Sequence, residues 1–267
     1  MSSRLVFLKL GGSLITVKDQ PHTPRLDVLE RLAQEIAQAR ALDRDLQLLL
    51  GHGSGSFGHA AADKYKTRLG VNSVDEWKGF AEVWRQAAEL NHLVLQALKK
   101  VNLPAIAFPP SATVFARGGK IDTWNLDALL TALAQGLLPV IYGDVIFDKV
   151  WGGTILSTED LFTYLAHRMR PSQLLLAGLQ PGVWADFPAN TRLVHEITPA
   201  SFPQIEAGLK GSAATDVTGG MADKVRQMIA LVEELPDLRA MIFSGETPDN
   251  LRGSLLGDEL GTVIHGP

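Results

Sequence analysis

The chain has 267 residues, of which 46% are hydrophobic and 20% charged, enough for one sizeable buried core. Its 25 Lys and Arg against 29 Asp and Glu leave a formal charge of −4, which gives no reason to expect a nucleic acid or an anionic membrane surface as partner. Any anion site must be built locally, and the lack of cysteine excludes disulfides and thiolate metal sites.

Arg4 to Leu10 (RLVFLKL) is rich in strand formers and stops at Gly11-Gly12. The apolar run reaches Lys9 too soon for a signal-peptide core or a membrane span, so a soluble cytoplasmic protein is expected. Leu26 to Leu42 carries apolar residues at helical spacing, and Asp45 to Leu50 is a short apolar run ending in glycines. Val74 to Val101 predicts a long amphipathic helix, Pro104 to Phe108 a strand, and Asn125 to Gln135 a helix. Leu137 to Tyr142 reads as a buried strand, and Val145 to Leu156 as a hairpin containing Gly152-Gly153. In the second half a helix is expected over Glu159 to Arg168, a strand over Gln173 to Leu176 and a helix over Gly219 to Leu235. A strand over Leu238 to Phe243 and an edge strand near Gly261 to Ile264 close the chain. Alternating strands and helices imply an α/β fold, an αβα sandwich around a largely parallel sheet. No linker or internal repeat divides the chain. One compact unit is expected, with an N-terminal lobe to about residue 170 and a C-terminal lobe beyond it.

Three glycine-rich segments carry the chemistry. Lys9-Leu10-Gly11-Gly12-Ser13 runs a strand into a turn whose N–H groups can face one anion beside the Lys9 charge. The same residues also fit an ordinary turn and a sheet-edge lysine. Gly51-His52-Gly53-Ser54-Gly55-Ser56-Phe57-Gly58-His59 places four glycines in nine residues after the second strand. A helix expected to start near His59 would turn its positive end towards a phosphate. The segment matches neither a Walker A loop nor the dinucleotide fingerprint. His59 fits a cap, or a hydrogen-bond donor to a phosphate. The other histidines, His22, His52, His92, His167, His195 and His265, form no zinc spacing. Asp216 to Lys224 (DVTGGMADK) opens a helix, with Gly219 and Gly220 allowing close backbone approach and Lys224 about one turn in. Asp144 and Ser157-Thr158-Glu159-Asp160 form an acidic set that suits helix capping, or positioning of a lysine or magnesium.

Together these segments resemble the amino-acid-kinase superfamily: Lys-x-Gly-Gly-Ser on the first strand, a glycine loop after the second, Thr-Gly-Gly-Met-x-x-Lys late in the chain. Lys18, the ending Ser56-Phe57-Gly58-His59 and Leu137 to Val145 look most like the isopentenyl phosphate kinases. The resemblance implies transfer of phosphate from ATP, with Mg2+, to isopentenyl phosphate or a related alkyl phosphate, in a homodimeric enzyme. It implies phosphate contacts from Lys9, Lys18 and Lys224, the acceptor phosphate at His59, Gly53 and Gly55 at the substrate, and Ser54 facing ATP. Gly11, Gly12, Ser13, Gly219 and Gly220 fall on the nucleotide side and Thr158 on the acceptor side. The family often has Ser-Gly-Asp-Asp at Ser157 to Asp160 and Asp-Gly-Val-Tyr at Pro181 to Trp184, so the base and ribose contacts depart from its pattern. No metal-ligating side chain is assigned.

The stripe of Phe80, Val83, Trp84, Ala87 and Leu90 shares one helical face and is a candidate wall for an apolar tail, as well as a core or interface face. Three alternatives stay open: a kinase of the same fold for another phosphate or phosphonate, as in fosfomycin kinases; a catalytically silent nucleotide-binding regulator; and an α/β scaffold without a nucleotide site.

Overall fold

The computed structural model describes residues 4–209 and 220–266. Strand β1 (Arg4–Leu10) leads through the short α1 (Gly12–Ile15) to α2 (Leu26–Leu42), β2 (Leu46–His52), α3 (His59–Tyr65) and α4 (Val74–Lys100). Next come β3 (Ala105–Ala107), α5 (Pro110–Thr113), β4 (Val114–Arg117), β5 (Lys120–Trp124), α6 (Asp127–Ala134), β6 (Leu138–Tyr142), β7 (Asp144–Asp148) and β8 (Gly152–Leu156). Beyond them lie α7 (Thr158–Met169), β9 (Gln173–Gly178), the short β10 (Val183–Trp184), β11 (Leu193–Val194) and β12 (Glu196–Ile197), then α8 (Phe202–Leu209). The chain closes with α9 (Gly220–Glu234), β13 (Arg239–Ser244), α10 (Asn250–Leu256) and β14 (Gly261–His265).

Eight strands form the main sheet in the order β3-β6-β2-β1-β9-β13-β14-β12. The six from β3 to β13 are mutually parallel, and β14 runs antiparallel to β13. This is the α/β architecture that the alternation of apolar runs and helical patterns implies. β1 sits where the order reverses: its neighbour on one side is β2, on the other β9. Ligand crevices in open α/β sheets form outside the carboxyl ends of strands at such a reversal.

Side chains of β1 alternate across the sheet, as the pleat requires. Val6, Leu8 and Leu10 join one core with α2, α4 and α10, through residues such as Ile36, Leu90 and Leu251. Phe7 faces the other core, with Phe162 of α7 and Val225 of α9. Lys9 has the parity of Phe7, so it projects on the side of α7 and α9. Burying two whole layers of aliphatic side chains fixes this register, because a one-residue slip would exchange the two faces.

A second, four-stranded sheet, β5-β4-β7-β8, stands beside the main one. The hairpin expected over Val145 to Leu156 is present as β7 and β8. Its turn lies ahead of Gly152-Gly153, which belong to β8. The Asp148 carboxylate accepts from the N–H groups of Gly118, Gly119, Val150 and Trp151 at 2.7–3.0 Å and so shapes that turn. The long α4 opens on a capping box: Ser73 Oγ accepts from Glu76 N–H, and the Glu76 carboxylate accepts from Ser73 N–H. Among the described residues no helix is long and apolar enough to cross a membrane.

Candidate active site

The carboxyl ends of β1, β2, β9 and β13 converge on one cavity of about 320 Å3. Lys9, Gly11, Gly12 and Ser13 line it from the first strand and turn; Gly53, Ser54, Gly55 and Gly58 line it from the second. Lys18, Thr158, Val83 and Lys224 also reach it. Thus the first two glycine segments and the lysine of the third, read separately along the chain, meet in space.

The two glycine turns interlock through their backbones. A Cβ on Gly12 would lie 2.4 Å from the Gly55 nitrogen, and one on Gly53 would lie 2.9 Å from the Gly12 nitrogen. Gly55 also has φ +51, a left-handed conformation that favours glycine. Hydrogen bonds hold the rest: Gly53 N–H to Leu10 O at 3.0 Å and Gly11 N–H to Ala177 O at 2.8 Å. Thr16 Oγ1 donates to Gly12 O at 2.8 Å and accepts from Ser56 N–H at 3.0 Å.

Lys9 is almost wholly buried and forms an ion pair with Glu159 in the first turn of α7. The capping box between Ser157 and Asp160 fixes that turn, with N–H to oxygen distances of 2.8 and 3.1 Å. Burial pushes the Glu159 carboxyl up. The charges of Lys9 and Lys224, with the Lys9 hydrogen bond, outweigh this and hold it below its usual value. Glu159 therefore stays ionised and organises two cations at the cavity floor. Of the acidic set, Asp160 is a cap, Glu159 positions a lysine, and Asp144 lines the cavity as a buried acid. Burial pushes Asp144 up to about 6, against the N–H groups of Ser111 and Val145 that donate to it.

Two sequence expectations are modified. Of the α4 residues expected to wall an apolar tail, only Val83 lines the cavity. Phe80 is buried behind that wall against Trp77 and Phe147, while Trp84 is 45% exposed and lies off the cavity. Gly220 opens α9 with φ +66, and of the described α9 residues Met221 and Lys224, rather than Gly220, line the cavity. Gly219 and the side chain of His59 lie outside the described residues; the backbone of His59 opens α3, where a helix start was expected. Arg68 also lines the cavity and pairs with Asp160 at 3.7 Å, but no motif in the sequence marks it. Nor is the apolar lining of Ala62, Ile155, Leu156 and Ile242 marked, since isolated aliphatic residues carry no positional signal.

This cavity has the chemistry of a phosphate site in an acidic protein. Three lysines and Arg68 face two carboxylates, and glycine turns bring main-chain N–H groups to the same space. The sequence profile described as the amino acid kinase family matches residues 4–244. The chain belongs to the amino acid kinase family. Among curated members, it is 34% identical to isopentenyl phosphate kinase of Methanothermobacter thermautotrophicus over 98% of this chain and 99% of that one. It is 33% identical to isopentenyl phosphate kinase of Methanocaldococcus jannaschii over 97% and 98%. Among solved members of the fold, an X-ray structure of isopentenyl phosphate kinase superposes with a TM-score of 0.81 at 28% identity, covering 98% of this chain and all of that one. A carbamate kinase from Giardia lamblia bound to AMP-PNP shares the amino acid kinase fold, with a TM-score of 0.70 at 14% identity and full coverage of both chains.

Proposed function

We propose that this protein transfers the γ-phosphoryl group of ATP to isopentenyl phosphate, yielding isopentenyl diphosphate and ADP. The observation that carries this reading is the Lys9–Glu159 pair with Lys224 beside it, set at the floor of a cavity lined by two interlocked glycine turns. The relatives at 33–34% identity, matched almost end to end, support the choice of acceptor.

The reaction joins two anions, so their mutual repulsion is the main electrostatic obstacle. An oxygen of the acceptor phosphate attacks the γ-phosphorus, and the bond to the β,γ-bridging oxygen breaks with its electron pair leaving on ADP. A phosphate dianion is already nucleophilic at neutral pH, so no general base is required. Positioning and charge stabilisation carry the catalysis. Lys9 and Lys224 neutralise the transferring group, Lys18 guards the first loop and the γ-phosphate, and His59 holds the acceptor phosphate in line. Magnesium accompanying ATP would add positive charge against the phosphates, and among the described residues no cluster of side chains is arranged to hold it alone. Val83, Ala62 and Ile155 offer an apolar flank for a short hydrocarbon tail.

The same reading assigns acceptor binding to a lobe reaching about residue 170 and nucleotide binding to the remainder, on either side of the β1–β9 junction. A cytoplasmic homodimer completes the proposal. The test is ADP release across a panel of alkyl and isoprenyl monophosphates, with fosfomycin and inorganic phosphate as further arms. Isopentenyl phosphate should give the highest kcat/KM. Faster turnover of fosfomycin, or ADP release independent of acceptor, would overturn the assignment. His59→Ala should raise the KM for the acceptor more than that for ATP.

A further inference from the structure

We propose that His52, held by Asn91 of α4, is a positioning residue that turns the Ser54 N–H into the cavity to meet the phosphoryl group in transfer. This rests on the kinase reading above. His52 ends β2 and is fully buried, stacked on Tyr142 with ring centroids 5.3 Å apart. Its main-chain carbonyl accepts from Gly143 N–H at 3.2 Å and from Thr158 Oγ1 at 2.6 Å. Its ring does separate work. Nδ1 lies 3.1 Å from the carbonyl oxygen of Gly53, and Nε2 lies 3.2 Å from Oδ1 of the Asn91 side chain.

A carbonyl oxygen only accepts, so Nδ1 carries the proton and donates to Gly53. The second nitrogen then depends on the charge of the ring. Burial, together with the nearby positive charge of Lys9, holds His52 below its ordinary value, so the imidazole is neutral. A neutral ring protonated at Nδ1 accepts at Nε2. The Asn91 amide, whose Oδ1 faces Nε2, must therefore turn end for end so that its NH2 group donates to the ring, which sets the Asn91 side chain and locks the tautomer.

The consequence reaches the next peptide. Leu10 O holds the Gly53 N–H, and His52 holds the Gly53 carbonyl, so Gly53 is tethered at both ends. The Gly53–Ser54 peptide is trans and planar, with its C=O and N–H pointing in opposite directions. With the carbonyl directed at a fully buried ring, the Ser54 N–H points the other way, to the side where Gly53, Ser54 and Gly55 line the cavity. Glycine at 53 offers little resistance to rotation of this peptide, so the imidazole supplies the restraint that the residue type lacks.

Asparagine at 52 places an amide N–H near the position of Nδ1, while leucine fills the space without a donor. We expect His52→Leu to lower kcat about 10²-fold, the scale of losing one preorganised donor, with the KM values for ATP and isopentenyl phosphate moving less than about threefold. His52→Asn should keep kcat within about fivefold of the parent, even where its melting temperature falls as far as that of the leucine variant. Equal slowing of two folded variants would overturn the proposal. The unaltered protein gives a second reading. Long-range 1H–15N spectra should show His52 neutral and protonated at Nδ1, and the Ser54 amide resonance should shift on addition of AMP-PNP with Mg2+. An Nε2–H or imidazolium form, or an unmoved Ser54 amide, would refute it. Should the unaltered protein turn over no acceptor in the panel, the kinase reading fails by itself, and the spectra still decide the His52 geometry.

Discussion

Replacing Glu159 by glutamine removes the charge that pairs Lys9 while keeping the size of the side chain. The Lys9 and Glu159 side chains are only 10% and 7% exposed, so water cannot replace the lost partner. Removing one member of such a buried pair typically costs about 3–5 kcal/mol. At roughly 2–4 °C per kcal/mol for a domain approaching this size, the melting temperature should fall by on the order of 10 °C. Bound nucleotide changes the balance, because its phosphates bring negative charge to Lys9 and Lys224. Saturating ATP with magnesium should therefore raise the melting temperature of Glu159→Gln by more than it raises that of the parent. The pH dependence has a definite sign. Glu159 titrates below its ordinary value of 4.5 in the folded protein, so its contribution is present above about 4.5 and is lost as pH falls through the folded value. The gap between parent and variant should accordingly narrow under acid. Differential scanning fluorimetry at several pH values, with and without ATP, measures all three effects. A melting temperature within about 2 °C of the parent at pH 7, with an equal response to ATP, would show that the pair does not organise the site.

Lys9→Ala and Lys224→Ala should each lower kcat by on the order of 10²–10³ while ADP release by the parent is measured alongside, and near-normal turnover in both would displace the active site from this cavity. Asp144 has the opposite pH sense to Glu159: its folded value of about 6 lies above 3.8, so the parent loses stability as pH rises through that interval. The loss should be about 3 kcal/mol, and Asp144→Asn should flatten it in urea titrations between pH 4 and 7. Val83→Ala should raise the ratio of kcat/KM for geranyl phosphate to that for isopentenyl phosphate several-fold, since each buried CH2 is worth about 0.8 kcal/mol. Trp84→Ala, off the cavity, should leave that ratio unchanged; the reverse order would misplace the tail.

The alternation of strands and helices was legible because each parallel strand is a short apolar run covered on both faces. Lys9, Gly11 to Ser13 and Gly53 to Gly58 were legible because glycine clusters after strands have few other uses. Glu159 was harder to read. Its position after Ser157 and before Asp160 fits a helix cap, and only the packing of α7 against β1 brings residue 159 to residue 9. The α4 stripe shows the limit of periodicity. Spacings of three and four place Phe80, Val83 and Trp84 on one side of a helix, but side chains 100° apart can face core, cavity and solvent respectively. β4 and β5 escaped notice because such short segments show no decisive period. The turn after β7 depends on Asp148 capturing four N–H groups from two separate loops, a pattern that has no local signature.

The contact between Gly12 and Gly55 bears on how ligands come and go. Backbone atoms of two distant segments touch there without intervening side chains, and Thr16 stitches both through its hydroxyl. Neither turn has room to swing without carrying the other, so the floor behaves mechanically as one plate rather than as two leaves of a hinge. Opening and closing must then be the work of the surrounding walls: the α3–α4 side, the β7–β8 hairpin and the loop that carries Lys18. Rate-limiting release of a diphosphate product should accordingly respond to substitutions in those walls.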